Sequence, residues 1–505
     1  MTCEASRREF LKSLAAGTAL GLLPKCAFSA GTAQAAGRRP NLIYVLADQL
    51  RYSSCGYGGD SRARTPTMDR MAREGISFRN AVSSMPVCSA YRASLFTGKY
   101  TTSTGMVINE LRMNPHHECL GHVLTRAGYE TGYVGKWHLY ANQAGNHLDP
   151  RNSFVPRGPD RLGFDRYWAA YNFHHDYYDA YYHTETPEKI RYGDGVYEPD
   201  GQTDLAIEFL RKACRLDKPF ALVLSVGTPH DPWSSNNVPP EFYGMFRDVR
   251  FPPPSNYTDR MDPYGDRWSN IAKSPAKIEK WMQVYYAMTA NLDRNLGRLL
   301  GAVEQAGIAD HTLVVFTSDH GEMFGAHGRM KKNTFYEEAA RVPFLMRWPG
   351  RIPPARVSDA CLNTVDIMPT LLSLMNLPIP DAVEGMDLAP CALGRGGPEP
   401  PAAFLMNTGA CAEWEDGHEW RALRDKRYTY AVYRVDGAEL LFDNTSDPYQ
   451  MQNLAAAPEH AATMDRFRKM LREKMASLHD TFERSTWYRD HWIQDRIILR
   501  TATMP

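Results

Sequence analysis

The sequence predicts an α/β fold: a large, mostly parallel sheet flanked by helices, followed by a smaller C-terminal α+β domain containing an antiparallel sheet. Three observations predict it. Short, nearly continuous apolar runs recur, the pattern of strands buried on both faces. Helical patterns with three- and four-residue apolar spacing lie between them. A Pro- and Gly-rich segment from Gly394 to Pro401 then separates this pattern from a shorter, strand-containing end.

The first strand is Pro40-Asn41-Leu42-Ile43-Tyr44-Val45-Leu46-Ala47, and it ends at Asp48-Gln49. Thr67 reads as the N-cap of a short helix carrying Met68, Met71 and Ala72, with Gly75 as its stop. A second helix opens at Cys88. Glu130 to Val134 is a strand leading into Gly135-Lys136-Trp137-His138, and Phe220 to Val226 is another leading into Thr228-Pro229-His230-Asp231. Val284, Met288, Leu292, Leu296, Leu299 and Val303 mark a long helix stopped by Gly307; Thr312 to Thr317 is then a strand ending at Ser318-Asp319-His320-Gly321. Open α/β sheets gather ligands at the carboxyl ends of their strands. Asp48, Lys136, His138, His230, Asp319 and His320 are therefore site candidates by position.

Tyr167 to Tyr182 is unusually aromatic and has two readings, a wall for stacking sugar rings or an insertion packed on the sheet. Asn236 to Lys273, rich in proline and charge, reads as a surface excursion or lid. Beyond Pro401, Arg427 to Val435 and Glu439 to Phe442 read as strands of the smaller sheet. Met464, Phe467, Leu471, Met475 and Leu478 share one face of a final helix. The organisation that follows is a leader over residues 1–35, a catalytic domain over 38–395 and a smaller domain over 400–505.

The leader reads Ser6-Arg7-Arg8-Glu9-Phe10-Leu11-Lys12, a weakly apolar stretch from Ser13 to Leu23, and Ala33-Gln34-Ala35 as a cleavage site. That pattern is similar to a twin-arginine export signal, with the twin-arginine machinery as partner and a periplasmic or secreted protein as product. No later apolar run reaches about 18 residues, so no membrane span is expected. With 58 basic and 58 acidic residues, the 505-residue chain has no global field to attract nucleic acid. Its cysteines after the leader, seven in number, form no CxxC or zinc spacing.

The stretch that carries the chemistry is Val87-Cys88-Ser89-Ala90-Tyr91-Arg92-Ala93-Ser94-Leu95-Phe96-Thr97-Gly98. It sets a cysteine at a helix start four residues before an arginine, a combination suited to an anion. The run resembles the signature of the type I sulfatase family, Cys-x-Pro/Ala-x-Arg followed by Thr-Gly. The resemblance extends through Ala-Asp-Gln at 47–49, Gly-Lys-Trp-His at 135–138, Ser-Asp-His-Gly at 318–321 and Lys332 to Glu337 before Arg341-Val342-Pro343. It also covers Val365 to Leu372 and Leu441 to Asn444.

This resemblance implies an alkaline phosphatase/sulfatase-like fold and hydrolysis of a sulfate ester, on a carbohydrate in an exported enzyme. By position, Cys88 would be oxidised to formylglycine (3-oxoalanine) by a maturase. Asp48, Gln49, Asp319 and His320 would hold one Ca²⁺ beside residue 88. Arg92, Lys136 and Lys332 would bind the sulfate oxygens, His230 would protonate the departing alcohol, and His138 would take the proton that lets sulfate leave. Lys332 is taken over Lys331 on its four-residue spacing to Tyr336. Three positions depart from the commoner pattern. Ala90 stands where proline is usual, which points to a maturase tolerant of alanine such as the oxygen-independent radical type. Gln49 replaces a second aspartate, and His320 replaces an asparagine. The rival readings are a phosphodiesterase or phosphonate monoester hydrolase of the same superfamily, and a non-catalytic glycan-binding relative.

Overall fold

The computed structural model describes residues 39–141, 150–270 and 274–504. The leader at residues 1–35 lies outside them. Eight strands form the main sheet: β1 Asn41–Asp48, β2 Ile76–Phe78, β3 Glu130–Lys136, β4 Tyr167–Tyr171, β5 Phe220–Pro229, β6 Thr312–Ser318, β7 Phe344–Arg347 and β8 Arg356–Ser358. Their order across the sheet is β8-β2-β7-β6-β1-β5-β3-β4. β7 pairs antiparallel with both β6 and β2, and every other pair is parallel. The carboxyl ends of β6, β1, β5, β3 and β4 therefore open side by side on one edge.

Why these runs become central strands shows in their alternation. Leu42, Tyr44 and Leu46 enter one core with Tyr91, Leu95 and Met368, whereas Ile43, Val45 and Ala47 enter the opposite core with Met288, Leu292 and Leu296. Helices cover both faces: α1 Pro66–Glu74, α2 Cys88–Thr97, α3 Glu198–Ala213, α4 Pro275–Gln305 and α5 Thr364–Leu374. A glycine is required where β3 bends toward the site, because Gly135 has φ 99° and an added Cβ would meet Ser225 O at 2.0 Å. α2 stops at Gly98, which takes the left-handed conformation (φ 65°).

The N-cap position of α1 is Thr65 rather than Thr67, with Pro66 at the first helical position. Its free backbone N–H groups are met from a distance: Thr67 N and Met68 N donate to the buried Asp293 carboxylate of α4 at 2.9 and 2.8 Å. A long-range partner of this kind leaves no local sequence pattern.

A second, four-stranded antiparallel sheet runs β9 Ala403–Asn407, β10 Trp420–Arg424, β11 Tyr428–Tyr433 and β12 Glu439–Asp443. Two of these strands, β9 and β10, were not legible from the sequence. One face, with Phe404, Leu423, Tyr430 and Leu441, packs with Met464, Phe467 and Leu471 of α6 (Ala461–Ser477). The other, with Leu405, Trp420, Ala431 and Phe442, packs on Phe335 and Ala339, just after Lys332. The expected excursion after Asn236 is more embedded than its composition suggests: Phe242, Phe246, Phe251, Asn256 and Asp266 are buried. The aromatic run divides. Trp168, Tyr171 and Tyr177 are core, whereas Phe173 and His175 sit half-buried just beyond β4.

Burial pushes His117 down to about 4 and His174 down to about 3, against about 6.5 in an unfolded chain. The folded values lie below the unfolded one, so the unfolded chain takes up protons first as pH falls. Stability is thus full above about pH 6.5 and declines toward pH 4, by up to about 3 kcal/mol for His117. Melting temperature measured against pH checks this; His117→Phe is expected to flatten the acid limb, and an unchanged limb contradicts it.

Candidate active site

The candidate side chains arrive from four strand ends, from the start of helix α2 and from the loop that carries Lys332. Asp48 closes β1, and the chain turns at once through Gln49, whose φ of 71° is unusual for a residue with a side chain. That turn is held by Gln49 N donating to Asp319 Oδ1 at 3.0 Å. Asp319 and His320 follow β6, Lys136 ends β3, and His138 follows in the left-handed region (φ 56°) with its N–H donating to Asn172 O. His230 follows β5. Cys88 enters from α2, whose first turn is fixed by Ser89 N donating to Asn109 Oδ1 at 3.1 Å.

Three of the predicted groups, His320, Lys332 and Asp48, close around the Cys88 sulfur. Its Sγ lies 3.1 Å from His320 Nε2, 3.0 Å from Lys332 Nζ and 3.8 Å from Asp48 Oδ1. Lys332 distributes its three hydrogens over Cys88 Sγ, Gln49 Oε1 (3.0 Å) and His230 Nε2 (3.1 Å). Lys331 instead pairs with Asp231, outside the cluster. Lys136 Nζ donates to Asp48 Oδ2 at 2.6 Å. Arg92 lies behind the carboxylates: it donates to Lys136 O (2.8 Å) and Ser225 Oγ (2.7 Å), and stands 3.5 Å from Asp48 Oδ2 and 3.6 Å from Asp319 Oδ2. Asp48, Arg92, Lys136, Asp319 and His320 have no exposed surface.

The imidazoles are oriented by carbonyls, which only accept. His320 Nδ1 donates to Gly321 O and His230 Nδ1 donates to Asp231 O, so both Nε2 lone pairs face the cluster. Burial holds His320 down near 4, and burial with the facing Lys332 holds His230 well below its ordinary value. Burial alone would raise Asp48, yet Lys136, His230 and Lys332 hold it well below the usual carboxylate range. Burial and the neighbouring Asp48 charge push Asp319 the other way, up to about 6. Burial opposes the Lys332 charge, but the facing Cys88 and Asp48 keep it above the ordinary lysine value.

The family model for sulfatases matches residues 40–377, and that for the N-sulphoglucosamine sulphohydrolase C-terminal region matches 325–477. The chain belongs to the sulfatase family. It is a type I sulfatase of the alkaline phosphatase-like superfamily, and its reaction is hydrolysis of sulfuric esters. An ulvan-active sulfatase of Formosa agariphila is 37% identical over 457 residues, spanning 89% of this chain and 84% of the relative. An endo-4-O-sulfatase of Bacteroides thetaiotaomicron is 28% identical, spanning 91% and 95%. A crystal structure from Bacteroides fragilis, described as a sulfatase, superposes with a TM-score of 0.77 at 30% identity and covers 90% of this chain and 99% of its own.

In this sulfatase the ligand atoms of Asp48, Cys88, Asp319 and His320 lie within 4.8 Å of one another, all buried. The set fits a divalent cation: among the described residues Asp319 Oδ2 is buried without a hydrogen bond, and two of the four donors are carboxylates. Gln49 borders it, its Oε1 on Lys332 and its Nε2 donating to Glu322 Oε2 at 2.8 Å. Ser225, Asn109, Glu322 and Asp231 support the site but carry no sequence signal of their own, except that Glu322 and Asp231 follow strand ends. Among the described residues, the seven cysteines are free.

Arg92→Met leaves Asp48 and Asp319 facing each other with one cation fewer, a loss of about 3–5 kcal/mol. Denaturant unfolding of chelator-treated protein checks it; a midpoint equal to wild type contradicts the role.

Proposed function

We propose that this sulfatase cleaves the sulfate ester of a carbohydrate with residue 88 as nucleophile, matured from cysteine to formylglycine, beside one Ca²⁺. The observation that carries the reading is the convergence on Cys88 Sγ of Lys332, His320 and Asp48 at a helix N-terminus. The relative named for activity on ulvan supports a carbohydrate as substrate. Hydrated formylglycine supplies two hydroxyls on one carbon, one to attack sulfur and one to collapse to the aldehyde as sulfate leaves. Asp48, Gln49, Asp319 and His320 would hold the Ca²⁺, which when bound would supply positive charge to acidify a neighbouring hydroxyl and polarise the sulfate.

The remaining work falls to the chain's own groups. Lys136 and Lys332 receive sulfate oxygens, while Arg92 offsets the charge gathering on the carboxylate side. His230 Nε2 accepts from Lys332, so it stands where a proton can reach the departing alkoxide. His138 takes the proton of the second hydroxyl. We also infer export through the twin-arginine route to the periplasm or beyond, from Arg7-Arg8 and Ala33-Gln34-Ala35, with a formylglycine-generating maturase as a partner.

Inorganic sulfate release from ulvan oligosaccharides, chondroitin 4-sulfate disaccharide and N-acetylglucosamine 6-sulfate tests this, with phosphodiesters as competitors. Sulfate release is expected, removed by chelator and restored by Ca²⁺, with Cys88→Ala lower by at least about 10³-fold. Faster turnover of phosphodiesters, or activity indifferent to chelation, contradicts the reading.

A further inference from the structure

The proposed mechanism leaves one imidazole beside the site without a task. His175 lies face to face with His230, ring centroids 3.9 Å apart and planes 9° from parallel. Its other neighbour is Phe173, edge-on at 4.6 Å. Phe173 in turn covers the His138 ring at 4.3 Å and the Lys136 ammonium at 4.7 Å. Residues 172–175 thus form a shelf that touches both His138 and His230.

The shelf is held firmly from below. Asn172 O accepts from His138 N at 2.8 Å, Asn172 Oδ1 accepts from Tyr140 N at 3.0 Å, and Asn172 N donates to Ser153 O at 2.7 Å. His174 points the other way, its Nε2 donating to Tyr181 O at 3.1 Å and its ring stacked on Tyr171. His175 is left as the polar member that faces His230. Both of its ring nitrogens are screened from bulk water, and among the described residues neither has a hydrogen-bond partner. Leaving such a group unsatisfied is costly, and a ligand hydroxyl would recover that cost. Burial and the adjacent His230 and Lys136 hold His175 well below its ordinary value, so it meets His230 as a neutral ring.

We propose that His175 is a substrate-contacting, specificity-determining residue that hydrogen-bonds a sugar hydroxyl next to the sulfate ester while its face keeps His230 aligned with the leaving oxygen. This rests on the carbohydrate reading above. The stack of His175 on His230 sets it on the side assigned to the leaving alcohol rather than to sulfate. His230 is the group assigned to that alcohol, and a neutral imidazole offers the donor and acceptor that a hydroxyl needs. A site built to bond a hydroxyl discriminates strongly against a substrate that lacks it.

The test compares 4-nitrophenyl sulfate, which has no hydroxyl beside the ester, with whichever saccharide of the panel wild type turns over fastest. His175→Phe keeps a flat ring against His230 and removes both nitrogens; His175→Gln keeps a polar group without the ring. For His175→Phe, kcat/KM on the saccharide should fall about 10- to 100-fold, mainly through KM, with the aryl sulfate within about threefold of wild type. His175→Gln should recover part of the saccharide loss at a lower kcat on both substrates. Equal losses on both substrates for His175→Phe, or no loss on either, overturn the proposal. A wild type that releases sulfate from the aryl ester and from no saccharide is visible before any variant is made; it sinks the carbohydrate reading and takes this proposal with it.

Discussion

Burying Asp48, Arg92, Lys136, Asp319 and Lys332 with less than a tenth of each exposed is tolerable only because every charge meets an opposite charge or a directed dipole. Lys136 sits on Asp48, Arg92 spans Asp48 and Asp319, and Lys332 fills three acceptors at once. Among the described residues, Asp319 Oδ2 and Arg92 Nε are left without a hydrogen bond, and four ligand atoms, one of them the Cys88 sulfur, converge without a partner between them. That convergence is where a cation and a sulfate fit. A low-dielectric setting of this kind strengthens every interaction made by the reacting group, because no water needs to reorganise around it.

The sheet is what makes that closure possible. Five neighbouring parallel strands end on one edge, so residues just past those ends bring acid, base and cation to one region without long side-chain reach. The second sheet contributes from the other side: Phe335 and Ala339 pack into its face, fixing the segment that carries Lys332. Lys332 is thereby set by packing, whereas Asp48 and Asp319 are set by strand register, with Ala47 opposite Ser318. The backbone at Gln49, His138, Lys331 and Asn333 lies in the left-handed region, strain of the kind that packed functional loops retain.

Much of this was readable because it depends on local pattern. The apolar runs at Leu42, Val223 and Val315 are buried on both faces, and such runs have few alternatives in an α/β chain. The polar residue that follows each run is then placed by topology alone. What escaped reading depends on distance. Asp293 caps α1 from another helix, β9 and β10 are strands only because they pair with each other and with β11, and Asp266 anchors the 254–270 segment through Ser269 and Cys411 N. The aromatic run could not be divided from sequence, since Tyr171 and Phe173 look alike until β4 ends between them. Lys331 and Lys332 differ in the sequence only by the four-residue spacing to Tyr336, but in space they part, one on Asp231 and the other on Cys88.

The account stands on the chemistry of one side chain. The mass of the tryptic peptide Asn80 to Arg92, taken from protein made in its native host or beside a competent maturase, tests it most directly. The account predicts loss of the thiol and gain of an aldehyde at residue 88. An intact Cys88 in an enzyme that nevertheless releases sulfate at full rate would contradict it.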